Sequence, residues 1–560
     1  MNRKDILFLL SISLVLIISQ FIVRDFDDRY GRSINGDGKG YYAYLPAIFI
    51  YQDPSYQFIH NTEKKYYPED GSQFKDFLNK QRNGKFVNKT FPGLSVLYAP
   101  FFAVSHAIAW TTGYETDGYS APYQWGIAFS HIVYYLLGWY FLFRLFAALN
   151  VDNRLGWLLM LSVTFGTNCW YYLVYDHSVS HIHSFFLACT LLYLMQKFID
   201  YPKSFYLGWL GIVLALIVIT RPTNAIMLMF FPFLLNHSKR NFWELEILTK
   251  LKSKDLIPYY LVGVALLLFP FVLWKWQSDL WLVYSYNEEG FNFFNPRLFD
   301  FLFSFQKGWL LWSPLIFFGL IYSCVQFYRE SKMIMIYYLL PIGASVYVLS
   351  SWWCWTYGTG FGQRPMIEFI PFIVLGCSLA LNKIKTRYLA FLLVVPFSAL
   401  SMFQSFQVAN SILIGGETTA SDYFNHFLQW KRDAPKVNIP IQWQLISSDK
   451  ISINNSIDKN NPYSNAIELA NVGRSTHVLI SVRIAGNHGD RETRIVVADS
   501  SGTFYKTIFI GDFLYPDFET MEFLIDLPND IKGPVKCYIW NGDTATATRI
   551  DWISIKCYSD

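Results

Sequence analysis

The feature that most restricts the fold of this chain is a succession of apolar stretches, each near the length needed to cross a bilayer, joined by polar connections. They fall at residues 6–23, 124–147, 155–174, 179–198, 205–219, 223–235, 258–276, 309–328, 334–350, 366–381 and 388–408. A helix rises about 1.5 Å per residue, so roughly 20 apolar residues cross a hydrocarbon layer about 30 Å thick. A soluble domain has too little interior to hide so many of them. Of the 560 residues, 53% are hydrophobic and 16% charged, a balance that excludes an ordinary soluble enzyme. The expected class is a polytopic α-helical membrane protein with about 11 transmembrane helices.

Arg3 and Lys4 precede the first stretch and no small-residue cleavage site follows it, which predicts an uncleaved anchor with a cytoplasmic N-terminus. Lys197, Lys203, the run Lys239 to Lys254, Arg329, Lys332, Lys383, Lys385 and Arg387 then share that side, as the excess of basic residues in cytoplasmic loops requires. Residues 24–123 become the first periplasmic loop. Within it, 41–51 and 94–110 contain or adjoin Pro46, Pro92 and Pro100 and are expected as juxtamembrane helices. Residues 205–235, broken at Arg221-Pro222, can also be read as one kinked span, which would place the C-terminus in the cytoplasm. The eleven-span reading places it in the periplasm. A formal net charge of +4 over this length provides no nucleic-acid surface. The seven cysteines include no CxxC pair, and Cys169, Cys189, Cys324, Cys354 and Cys377, in or beside apolar stretches, read as packing residues.

Beyond residue 408 the composition turns polar. Residues 1–408 form the transmembrane domain, 409–450 a linker, and 451–560 a domain of short alternating segments at 477–484, 493–498, 504–510, 521–525, 535–540 and 550–557. That spacing predicts a β-sandwich. The last two segments are expected as neighbouring antiparallel strands, with Cys537 near Cys557 either as a disulfide or as two free thiols. Tyr538, Trp540 and Trp552 offer ring faces for a glycan, or serve the core, where Trp552 is expected.

The polar residues expected on the outer side include Asp37, Lys85, Lys89, Asp176, His177, His181, Arg221, Lys307 and Arg364. Asp37 lies between two glycines in Asn35-Gly36-Asp37-Gly38, where a sharp turn can present a carboxylate to a substrate as a general base or as a ligand to a divalent cation. The competing reading is a plain Asx turn. His177 and His181 are four apart and share a helix face beside Asp176, although no third metal ligand is fixed by spacing. Arg221-Pro222, Arg364-Pro365 and Lys307-Gly308 set cations at helix entrances, where they suit an anionic lipid-linked substrate or simply snorkel to headgroups.

The order of these motifs resembles the GT-C superfamily of membrane glycosyltransferases, in particular bacterial relatives of protein O-mannosyltransferases and aminoarabinose transferases. An Asp soon after the first span is followed by Lys85-Phe86-Val87-Asn88-Lys89-Thr90-Phe91-Pro92-Gly93. Then come Asp176-His177, Arg221-Pro222-Thr223, and Tyr357-Gly358-Thr359-Gly360-Phe361-Gly362-Gln363-Arg364.

The resemblance covers residues 1–408. It implies transfer of a sugar from a polyprenyl phosphate donor to a lipid, glycan or protein acceptor on the periplasmic side of a bacterial inner membrane. Asp37 matches the catalytic carboxylate of the first loop, and Asp176 stands where some members keep a second acidic motif. Arg364, Arg221, Lys85, Lys89 and Lys307 are the candidate donor-phosphate ligands. A divalent cation, Mg or Mn, is a candidate cofactor, with Asp37, Asp176 and His177 as its ligands. The chain departs from the family pattern in having Asp37-Gly38 for an Asp-Glu pair and Asp176-His177-Ser178 for two carboxylates, which weakens the case for that cation. Two rival classes are a transporter or flippase of lipid-linked saccharide, although no internal repeat is evident, and a non-catalytic envelope scaffold. Convergence of Asp37, Asp176 and Arg364 on one site would favour the enzyme.

Overall fold

The computed structural model describes residues 3–23, 33–67, 76–81, 83–177, 179–240, 253–287, 289–384, 391–432, 444–457, 462–469, 477–486, 493–499, 504–514, 517–527, 534–541 and 548–559. Residues 241–252 of the basic run, Lys385 and Arg387, Ser178, and residues 433–443 of the expected linker lie outside the described residues. The chain divides into two compact units, one of residues 1–405 and 415–419, the other of 406–414 and 420–560.

The first unit is helical. Among the described residues eight helices are long and apolar enough to cross a membrane: Arg3–Val23, Gly93–Thr112, Ala121–Ala148, His181–Asp200, Lys254–Ser278, Lys332–Ser350, Arg364–Leu381 and Leu392–Ala409. Ser204–Thr220 is a shorter apolar helix.

Three expectations change here. The stretch 94–110, expected as a juxtamembrane helix broken near its prolines, is part of a continuous 20-residue helix that accommodates Pro100 in its interior and is long and apolar enough to cross a membrane. The stretch 155–174 is not one helix. It breaks after Gly166, where Thr167 turns extended (φ −138°, ψ 178°), and resumes at Cys169–Val174. The break frees Asn168, whose side chain donates to the Gln363 carbonyl at 3.1 Å. The stretch 309–328 likewise divides at Ser313, ahead of Pro314, because proline removes a helix donor and restricts the residue before it.

The second unit is β-rich. Strands β3 (Gln444–Ile457), β4 (Ile467–Leu469), β5 (His477–Ala485), β6 (Thr493–Asp499), β7 (Tyr505–Phe509), β8 (Glu519–Asp526), β9 (Val535–Asn541) and β10 (Thr548–Ser559) form two four-stranded sheets, ordered β3-β10-β5-β8 and β4-β9-β6-β7. A separate two-stranded ribbon, β1 (Leu78–Lys80) with β2 (Phe86–Asn88), belongs to the first unit. The alternation of the strands sends Val478, Ile480, Ile495, Val497, Ile539 and Ile553 into one core cluster fed by both large sheets.

Two further readings are corrected. β9 and β10 are not neighbours: β10 pairs with β3 and β5, so the two strands belong to different sheets, and Cys537 and Cys557 are buried in the core without a disulfide between them. Trp552 stands outside that cluster, beside a register shift in β10, with the Lys450 ammonium 3.9 Å from its ring centre.

Candidate active site

The first loop is held against the helices by its backbone. Ile34 N–H donates to Gln124 Oε1 at 2.9 Å, and the Tyr67 hydroxyl donates to the Ile34 carbonyl at 2.7 Å. Gly36 adopts φ +49°, a conformation costly for residues with a Cβ. It turns the chain into helix Gly38–Pro46, all of whose residues are buried. Asn88 donates to the Gly40 carbonyl at 2.7 Å and Ser95 to the Tyr41 carbonyl at 2.5 Å, which ties this helix to β2 and to helix Gly93–Thr112.

Asp37 occupies the N-cap position of that helix, yet its side chain makes no cap hydrogen bond. The Asx-turn reading would use the carboxylate locally. It reaches instead across 327 residues of sequence to Arg364, whose Nη2 donates to Asp37 Oδ2 at 2.5 Å. Asp37 is 47% exposed and Arg364 15%, so the pair sits at a boundary between protein and solvent. Arg364 Nε is buried and has no hydrogen-bond partner.

Behind this pair lies a second one. Glu368, one turn beyond Arg364, is 1% exposed, with Oε1 3.2 Å from Arg221 Nε and 2.6 Å from His181 Nδ1. Arg221 also donates from Nη1 to the Ser180 hydroxyl at 3.4 Å. The two arginines share a local cause. Arg221 is the extended residue before Pro222 (φ −150°, ψ 104°), and Arg364 opens a 3-10 turn ahead of Pro365. Pro222 and Pro365 each stand at the start of a 3-10 helix, so both arginines sit at a helix boundary. Burial pushes the hydroxyls of Tyr41, Tyr286 and Tyr357 above the usual tyrosine range. They therefore stay protonated, and each feels the charge of Arg221.

Lys307 plays a different part from the one expected. It is fully buried, and its ammonium donates to the carbonyls of Thr359 and Gly360 at 3.0 and 2.8 Å. Burial, and then the charge of Arg364, hold it well below the usual lysine range. It braces the loop that delivers Arg364. Gly360 has φ +100°, and a Cβ there would lie 2.7 Å from the Tyr172 hydroxyl, so this loop packs too closely for a larger residue.

Lys85 pairs with Asp279, and Lys89 with Glu289 at 3.3 Å. Neither is among the partners of the two arginines. Asp176 lies near enough to Arg364 and Lys307 to act on both electrostatically. His177 is buried with Nε2 2.9 Å from the Leu173 carbonyl and 2.7 Å from Gln20 Nε2 on the first helix. Asp37 is therefore turned to an arginine and His177 to the protein interior. Among the described residues no three His, Cys, Asp or Glu side chains form a group that could hold a metal ion. The trio Asp37, Asp176 and His177, as placed, does not fit a divalent cation.

The structure thus joins Asp37 to Arg364, and brings Arg221 and His181 together on Glu368. Glu368, Ser180 and the tyrosines escaped the sequence reading. Glu368 had a signal, since a carboxylate inside the apolar run 366–381 is costly without a purpose. The partner that explains it, Arg221, is remote in sequence.

No family model and no curated protein matches this chain. Among solved structures, the arabinosyltransferase EmbB from Mycobacterium smegmatis aligns over 98% of this chain and 64% of its own, at 10% identity and a TM-score of 0.37. The chain therefore spans less than two thirds of that enzyme. A CBM4 structure aligns over 21% of this chain and 77% of its own at 14% identity and a TM-score of 0.13. The GH115 4-O-methyl-α-glucuronidase BtGH115A aligns over 45% and 34% at 8% identity and a TM-score of 0.13. Likenesses this distant carry no functional conclusion.

Proposed function

We propose that this protein is a membrane glycosyltransferase that moves a sugar from a polyprenyl phosphate donor to a hydroxyl-bearing acceptor, with Asp37 as the general base. The observation that carries the reading is the Asp37–Arg364 pair, in which Arg364 gives one N–H to the carboxylate while its buried Nε has no partner. A guanidinium with a second donor unspent suits the bidentate geometry of a phosphate.

The donor phosphate replaces Asp37 as the counter-ion of Arg364. Asp37 is thereby released to take the proton of the acceptor hydroxyl as its oxygen attacks the anomeric carbon. The bond from that carbon to the phosphate oxygen breaks, and its electron pair stays on the phosphate. Arg364 and Arg221, fixed before the reaction by Asp37 and Glu368, stabilise that developing charge without having to reorganise. Tyr41, Tyr286 and Tyr357, as protonated hydroxyls, are neutral donors at the same place. The expected setting is the bacterial inner membrane with the β-rich unit in the periplasm. A transporter would need a carboxylate–arginine pair less than a binding groove, and a scaffold would need neither.

The reading is tested by photo-crosslinking a diazirine-bearing polyprenyl phosphate to the full-length protein in lipid nanodiscs. Wild type is expected to be labelled in competition with unmodified polyprenyl phosphate, and Arg364→Gln to lose most of that labelling. Equal labelling of the variant would remove Arg364 from the donor site.

A further inference from the structure

The β4-β9-β6-β7 sheet has one face in the shared core and one outside it. Ile495 opposite Ile539, and Val497 opposite Cys537, belong to the inner face. One residue out of step, the outer face sets Trp540 opposite Arg494, Tyr538 opposite Val496, and Lys536 opposite Ala498, with Tyr505 of β7 next to Ala498. The small side chains Val496 and Ala498 form the floor of the middle strand, while rings rise from the strands on either side.

Tyr505 is 66% exposed and Tyr463, which bridges to Trp540, is 56% exposed. A solvated sheet face needs only polar residues in alternation, so ordered rings here are not required by the fold. The polar groups on this face are not equivalent. Lys536 is paired with Glu468 at 3.3 Å. The Arg494 guanidinium lies 5.9 Å from the Trp540 ring centre, and its Nε is buried without a hydrogen-bond partner.

We propose that this face binds an acidic glycan, a chain of sugar rings bearing carboxylates, independently of the transferase reading. The flat C–H faces of sugar rings suit Trp540, Tyr538 and Tyr505, and the hydroxyl edges remain hydrated. The charge of Arg494, which has no ion-pair partner among the described residues while Lys536 on the same face is neutralised by Glu468, selects for a carboxylate, which a guanidinium holds by two parallel bonds.

The test applies the full-length protein in detergent micelles to immobilised oligogalacturonate, oligoglucuronate and alginate oligosaccharides, with cello- and xylo-oligosaccharides as neutral counterparts. Wild type is expected to be retained by at least one acidic oligosaccharide. Trp540→Ala and, separately, Tyr505→Ala are expected to weaken that retention roughly tenfold. Arg494→Gln is expected to erase the preference for acidic over neutral chains. Tyr505 is exposed enough that its replacement leaves folding intact, so its loss reports on binding. Absence of retention on every acidic probe, retention unchanged in both aromatic variants, or equal retention of neutral chains by wild type would each overturn the proposal.

Discussion

Removing the Glu368 carboxylate is expected to damage this protein through Arg221. In Glu368→Ala the 3.2 Å contact to Arg221 Nε and the 2.6 Å contact to His181 Nδ1 both disappear, at a position where Glu368 is 1% and Arg221 18% exposed. Taking one partner from a buried ion pair costs about 3–5 kcal/mol, because the other charge is left uncompensated. Arg221 keeps some access to solvent, which places the expected loss near the lower end, about 3 kcal/mol. Replacing both partners, Glu368→Ala with Arg221→Met, removes the stranded charge and costs less than the sum of the two single changes. The difference is a coupling of about 2 kcal/mol. Tryptophan fluorescence during reversible unfolding in mixed micelles, as the SDS fraction is raised, measures all four corners of the cycle. A Glu368→Ala loss below about 1 kcal/mol, or strict additivity in the double variant, would refute the claim that the pair is structurally committed.

Asp37→Asn keeps the side-chain shape and removes the base, so sugar transfer is expected to fall roughly 100- to 10,000-fold while labelling by the crosslinking donor persists. Lys85→Ala is expected to leave transfer and stability at the wild-type level, because the Lys85–Asp279 pair is exposed on both sides and screened; a transfer assay and the same micellar unfolding check it. Gly93→Ala would bring a Cβ to 2.6 Å from the Ile219 carbonyl carbon and into Thr220. It is expected to cost about 1–3 kcal/mol by prising the helices apart. Lys307 has a folded-state pKa held below that of the unfolded chain, so the unfolded state binds more protons in the window from that depressed value up to about 10.4. Stability is therefore expected to rise with pH across this window, and Lys307→Met to flatten the rise in unfolding titrations.

What was legible in the sequence depended on how local its cause is. Apolar length revealed the helices, and alternation revealed the strands 477–484 and 493–498, because each signal is written in consecutive residues. The break at Thr167 was invisible: its stretch contains no proline, and its purpose, Asn168 reaching the Gln363 carbonyl, is settled nearly two hundred positions away. In the helix Gly93–Thr112 the local signal points the other way, since Pro100 marks a break that the fold absorbs. At the site, Asp37 and Arg364 were named for their own surroundings, a glycine turn and an Arg-Pro step. Their pairing is a product of tertiary structure. Lys307 looked equivalent to the arginines as a cation beside a helix entrance. Only burial and two carbonyl acceptors separate it from them. The order of strands in the second unit followed the same rule: β10 reads as a strand by itself, while its choice of β3 and β5 over β9 is decided by the packing of two sheets.

The central claim is that Asp37 is the base of a sugar transfer. It is tested most directly by following radiolabel from a panel of polyprenyl phosphate sugars into membrane extracts supplied with wild type or Asp37→Asn at equal protein levels. Transfer by wild type and its collapse in the variant is the predicted result. Equal transfer by the two would contradict the assignment of Asp37, and absence of transfer by wild type from every donor would contradict the glycosyltransferase reading itself.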